Sequence, residues 1–181
     1  MLAGVVPLGG HHITTDIARG LNVALPIAER IQTRYGSALA SSDSDRAQFE
    51  LPAHDGVAQM LPRSDLTKIM RPRLEETFEL IEARVASSGM AHLAGRRVVL
   101  TGGASQLSGV PELAQTILDR QPRLGFPMRL AGLPEAAAGP SFAACAGLLN
   151  YAGRQHADAA LVSENAGGLF SRLAAWLRRN F

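Results

Sequence analysis

Twice in this chain a short apolar run stops at paired glycines and gives way to helix-forming sequence. Val5 to Leu8 ends at Gly9-Gly10, and Arg96 to Leu100 runs through Thr101 into Gly102-Gly103. Strand, glycine turn and helix, in that order, is the unit from which sheets with helical crossovers are built. Two such units predict an α/β fold in which a parallel sheet is covered by helices. At 181 residues, 46% apolar and 19% charged, the chain has the length and balance for one domain with a real core, or for one lobe of something larger.

The pattern between the units fills in the rest. After Gly9-Gly10, Thr14 or Thr15 with Asp16 offers helix-capping chemistry, and apolar positions continue through Ile17 and Leu21. A second helix begins near Pro26, carries Ile27, Ala28, Ile31 and Tyr35, and closes at Gly36. Residues 37–65 read as loops and short edge strands, with Gln48-Phe49-Glu50-Leu51 alternating. Ser64-Asp65 caps a long helix from Leu66 to about Ser88 with a stripe of Ile69, Leu74, Phe78, Ile81 and Val85, which Pro72 is expected to kink or divide. After the second glycine pair come a helix from Pro111 to Arg120, a strand at Leu124 and a small-residue helix from Ser141 to Tyr151.

The net charge of +2 is small and the signs are interleaved, so no nucleic-acid footprint is expected. Cys145 excludes an internal disulfide and, lying in an apolar run, is expected to be buried and inert, which fits a reducing cytoplasm. No basic leader precedes an apolar stretch, and no apolar run reaches the ~18 residues of a spanning helix, so the expectation is a chain that neither spans a membrane nor is exported. There is no Ser/His/Asp set, no isolated carboxylate pair and no metal-spaced His/Cys cluster. Catalytic and metal residues are therefore expected to be none, and His11-His12 reads as a loop pair. Neither a P-loop nor a complete G-x-G-x-x-G is present, and Gly102-Gly103 is open to two readings, a plain tight turn or a ligand loop.

The last segment has a different character. Residues 153–168 lack apolar periodicity and read as a flexible linker. Placed at the helical period, Leu169, Phe170, Leu173, Ala174, Trp176, Leu177 and Phe181 gather into an arc of about 160°. Arg172, Arg178 and Arg179 lie on the other side, and no acid follows Glu164. Such a helix can pack on its own domain or lie on an anionic membrane surface. The polar linker, the purely positive polar face and the local concentration of aromatic residues favour the membrane. One such helix binds reversibly, so stable attachment implies several copies.

Together these segments resemble the FtsA family, the actin-like bacterial division proteins that tether FtsZ filaments to the membrane. The resemblance rests on Pro7–Ala18 (PLGGHHITTDIA), Ala28–Gly36 (AERIQTRYG), Arg71–Glu76 (RPRLEE), Val99–Gly109 (VLTGGASQLSG), Pro122–Pro127 (PRLGFP) and Gly168–Phe181 (GLFSRLAAWLRRNF), which occur in family order. It implies that residues 1–152 form the second lobe of an actin-like ATPase fold (the actin, sugar kinase and heat-shock chaperone class), followed by the linker and a membrane-targeting helix at 169–181.

By resemblance, Glu29, Gln32, Thr101, Gly102, Gly103 and Ala104 contact the nucleotide, which in the full-length family is ATP with Mg. The helix carrying Arg71, Arg73 and Glu76 receives the acidic C-terminal tail of FtsZ. Leu169, Phe170, Arg172, Leu173, Trp176, Leu177, Arg178 and Arg179 meet the membrane. The implied location is the cytoplasmic side of the inner membrane at the division septum, with self-association and further division proteins as partners. Two departures shape the expectation. Gln32 stands where the family usually has Lys, which removes a cation from the nucleotide site unless Arg30 or Arg34 compensates, and the family's first lobe, small assembly subdomain and both phosphate loops have no counterpart here. An adaptor and not an enzyme is expected; the alternatives are an ATPase half completed by a separate first lobe, or a truncated fragment without function.

Overall fold

The computed structural model describes residues 3–40, 46–52, 58–89, 91, 95–128 and 130–153. Helix α1 spans Gly10–Gly20. Its start is built by the chain itself: the Gly9 N–H donates to Nδ1 of His12 at 3.2 Å while the His12 N–H donates to the Gly9 carbonyl at 2.9 Å. His12 thus does what a Glu or Gln does at the third position of a capping box. The His11-His12 pair is in the first helical turn, not in a loop, and the start lies ahead of Thr14, Thr15 and Asp16. Ile13 and Ile17, one turn apart, bury together. Helix α2, Leu25–Tyr35, has Pro26 in its first turn and ends at Gly36. A Cβ at Gly36 would lie 2.3 Å from the Gln32 carbonyl oxygen and 2.9 Å from Met70 Cε, so no larger residue fits that ending without moving the backbone.

Strands β1 (Gln48–Leu51) and β2 (Gln59–Pro62) pair antiparallel, Gln48 opposite Pro62 and Leu51 opposite Gln59. The β1 alternation is the expected one: Phe49 and Leu51 go inward, Gln48 and Glu50 outward. Helix α3 then runs unbroken over Arg63–Ser87. Pro72 does not divide it. The ring removes one backbone N–H, but Leu66 and Met70 before it and Leu74 and Phe78 after it all bury in the same core, which offsets that loss. Ile69 and Ile81 flank this stripe. At its first residue, Arg63 donates from Nε and Nη2 to the Tyr35 carbonyl at 3.2 and 2.9 Å, satisfying an end carbonyl of α2.

Strand β3 (Arg97–Leu100), a 3-10 turn at Gly103–Gln106, helix α4 (Val110–Leu118) and strand β4 (Gln121–Leu124) form the second expected unit. β3 and β4 are parallel, Arg97 opposite Gln121 and Leu100 opposite Leu124, with α4 as their crossover. The first unit differs from expectation. Val5 to Leu8 is not a strand, because no described strand pairs with it, and Val5 is 78% exposed. Among the described residues the parallel sheet therefore has two strands.

The chain divides into two compact units, residues 1–126 and 127–181. The first holds the core, in which α1, α2, α3 and α4 contribute Ile17, Ala28, Leu66, Met70 and Leu113, and β1 contributes Phe49. The described part of the second contains 3-10 turns at Glu135–Ala138 and Pro140–Phe142 and a helix, α5, over residues 143–153. Of α5 only Ala146 is buried, so Cys145 is exposed, contrary to its apolar neighbourhood in sequence. Apart from Gly153, the linker and the amphipathic segment at 169–181 lie outside the described residues.

Candidate functional site

Two clusters carry the residues singled out by sequence. The first lies where α1 begins. The turn after β3 is fixed by Gly102, whose φ of +95° is a conformation that side chains with a Cβ rarely adopt. Ser105 closes the turn, its Oγ donating to the Gly102 carbonyl at 2.7 Å. Thr101 Oγ1 donates to the Gly125 carbonyl at 3.0 Å, which ties the end of β3 to the end of β4. Ala104 reaches the start of α1: a Cβ built on Gly10 would sit 3.2 Å from Ala104 Cβ.

Gln32 of α2 meets the same point, its Nε2 donating to the Gly10 carbonyl at 3.5 Å. Its Oε1 accepts from Thr14 Oγ1 at 2.5 Å. Gln32 and Ala104 are thus brought together at Gly10. Glu29 is exposed on α2 and lines a cleft of about 620 Å³ shared with Arg30, Thr33, Arg34, Glu50 and Pro52.

This geometry bears on a nucleotide. Glycine-rich turns at the end of a parallel strand let backbone groups approach a ligand. The side chain at position 32, however, is 7% exposed with both ends of its amide engaged inside the protein. A lysine there would present a cation; this glutamine presents nothing to a phosphate. Among the described residues there is also no group of three or more His, Cys, Asp or Glu placed to hold a metal ion. Position 32 therefore supplies no cation to this point of the fold.

The second cluster is on α3. Arg71 Nε pairs with Glu75 Oε1 at 2.7 Å, one turn on. Arg73 is held more firmly. Its Nε and Nη2 donate to the two carboxylate oxygens of Asp16 at 2.6 and 3.2 Å, and its Nη1 donates to Glu76 Oε2 at 2.6 Å. The two-point contact with Asp16 joins residues 57 apart in sequence and crosses from α3 to α1. The hydrogen bond to Asp16 raises the Arg73 pKa above its ordinary value, against the opposing effect of desolvation, so the guanidinium stays charged. Arg73 and Glu76 share one face of α3, with Arg73 already neutralised from within, whereas Arg71, two residues before Arg73, lies about 160° around the helix from it. The partner role of Asp16 had no signal in the sequence, since contacts between elements leave no periodicity.

The described architecture is a mixed helix-and-sheet domain with a glycine turn at the end of a parallel strand, in which no helix is long and apolar enough to cross a membrane among the described residues. The family model described as "Cell division protein FtsA" matches residues 2–147, and the chain belongs to that family. It is 43% identical over 189 residues to "Cell division protein FtsA" of Rhizobium meliloti, covering 99% of this chain and 43% of that protein. It is 44% identical over 191 residues to the same-named protein of Agrobacterium fabrum, covering 97% and 42%. The Escherichia coli protein of that name is 30% identical over 190 residues, covering 98% and 45%. The chain thus spans less than half the length of these relatives, and its family places it in cell division.

Proposed function

We propose that this chain serves as a division adaptor that tethers FtsZ filaments to the cytoplasmic face of the inner membrane at the septum, by recruitment and without chemistry of its own. The observation that carries the reading is that a division-protein family match over residues 2–147 is followed by an acid-free, arginine-bearing amphipathic segment at 169–181. In this reading the body is the second lobe of an actin-like fold. Leu169, Phe170, Leu173, Trp176 and Leu177 enter the headgroup boundary, while Arg172, Arg178 and Arg179 face anionic lipid. Because one such helix binds reversibly, several copies assembled on a filament hold where one does not.

The acidic tail of FtsZ is assigned to Arg71, Arg73 and Glu76. The two-point hold of Asp16 keeps the Arg73 guanidinium in place, and an incoming carboxylate takes the Nη1 position that Glu76 occupies. Titrating a labelled FtsZ tail peptide tests this. Arg73→Glu is expected to weaken binding about tenfold or more, since it loses a charge-assisted pair and adds a repulsion. Glu76→Gln removes the internal competitor and is expected to tighten binding. Affinity unchanged by Arg73→Glu in a chain that keeps its helical circular dichroism rejects the assignment.

Glu29, Gln32 and the turn from Thr101 to Ala104 are assigned to ATP as one wall of a site, holding the sugar and base. With Gln32 engaged internally, the chain alone holds the nucleotide weakly and does not hydrolyse it.

A further inference from the structure

We propose that the cleft between α2 and β1 is a docking groove for a short acidic peptide, with Arg30 and Arg34 as its anion-binding pair. This goes beyond the assignments above, since none of Arg71, Arg73 and Glu76 lines the cleft, and of the residues assigned to ATP it includes Glu29 alone.

Its volume of about 620 Å³ is in the range of ligand-binding clefts. The floor is apolar, from Ile27, Ile31 and Pro52, and Glu50 stands on the β1 side. Arg30 and Arg34 are one turn apart, a rise of about 6 Å along the helix. Alternate residues of an extended peptide are spaced by nearly the same amount, about 6.7 Å, and point to the same side. The helix from Ile27 to Tyr35 offers about 12 Å of length, room for about four extended residues.

The charges are left open in a way that those on α3 are not. Lys68, Arg71 and Arg73 each close an ion pair on or from α3. Among the described residues Arg30 and Arg34 close none. Arg34 is nonetheless held in direction. Its guanidinium lies 5.5 Å from the centre of the Tyr35 ring, and Tyr35 is stacked on buried Phe49 at 5.4 Å. A cation set in place before the ligand arrives loses less freedom on binding.

The carboxylates of the cleft decide between anions. Glu29 and Glu50 share the lining with the two arginines. A polyphosphate brings three or four negative charges close to both of them. A peptide with two acids, an apolar residue and a base meets the arginines, the floor and Glu50 in turn, so the mixed lining favours the peptide.

The test is fluorescence anisotropy with the fluorescein-labelled peptide Gly-Asp-Leu-Asp-Leu-Lys-Gly, titrated with the full chain at low salt. Saturable binding is expected. It should weaken at least tenfold when both Asp residues of the peptide become Asn, and equally in the double variant Arg30→Glu, Arg34→Glu. The milder pair Arg30→Gln, Arg34→Gln, which keeps the helix side chains long and polar, should lose several-fold, and Arg19→Glu on α1 should change nothing. Absence of saturable binding, equal binding of the Asn peptide, or no effect of either double variant overturns the proposal. ATP binding or self-association that is lost in the double variants, with no peptide binding, gives the cleft to a nucleotide or to a second copy and also overturns it.

Discussion

Trp176→Glu is expected to abolish co-sedimentation of this chain with anionic liposomes under conditions where the unmodified chain pellets. The expected loss is large because two effects add. Removing a large aromatic side chain from the apolar boundary forfeits about 2–3 kcal/mol, and a carboxylate placed near an anionic surface reverses the roughly 1 kcal/mol that each nearby cation contributes. Together they come to about 3–4 kcal/mol, a change in affinity of more than about 100-fold at 1.4 kcal/mol for each factor of ten. Position matters as much as composition. Trp176 stands at one edge of the apolar arc, beside Leu169, while Leu173 and Leu177 flank its centre. Ala175→Glu, on the opposite side of the same helical wheel, is expected to cost much less. Equal pelleting of the unmodified chain and the Trp176 variant, or none by either, contradicts the membrane role.

The second large effect concerns the fold. Phe49→Ala is expected to destabilise the first unit by about 4 kcal/mol, as deletion of a fully enclosed aromatic ring does. Phe49 is 1% exposed, belongs to a four-residue strand and stacks on Tyr35. A two-stranded hairpin such as β1–β2 is marginal alone. It is held by Phe49 and Leu51, so the loss falls first on the hairpin and on the end of α2. Urea unfolding should show the lowered midpoint, and hydrogen exchange should show loss of protection concentrated at 48–51 and 59–62. A midpoint within experimental scatter of the parent means that the β1 packing described above is wrong.

What could be read before folding was what repeats along the chain. The alternation of Gln48 to Leu51 marked β1, and the stripe through Leu74 and Phe78 marked α3, because each element buries one face and its period shows. The β-branched run ending at Gly102-Gly103 marked β3 and its turn for the same reason.

What failed depended on neighbours. Val5 to Leu8 has strand composition, but a strand exists only with a partner, and none of the described strands pairs with it. Cys145 has apolar neighbours in sequence, yet α5 buries only Ala146. Of the two outcomes expected at Pro72, a kink or a division, division does not occur, because the core that α3 crosses on both sides of it holds the helix together. At the candidate sites the residue types were legible and their commitments were not. Gln32 turned out to be spent on Thr14 and Gly10, Arg73 on Asp16, and Arg30 with Arg34 left without ion pairs among the described residues.

The central claim, that one chain joins a filament to a membrane, is tested most directly by FtsZ recruitment. Fluorescent FtsZ filaments are mixed with anionic vesicles in the presence and absence of this chain, and membrane-bound fluorescence is measured. Bound filaments are predicted only when the chain is present, with loss of the signal both in Trp176→Glu, which cuts the membrane end, and in Arg73→Glu, which cuts the filament end. Vesicles that bind the chain but gather no FtsZ would contradict the tether.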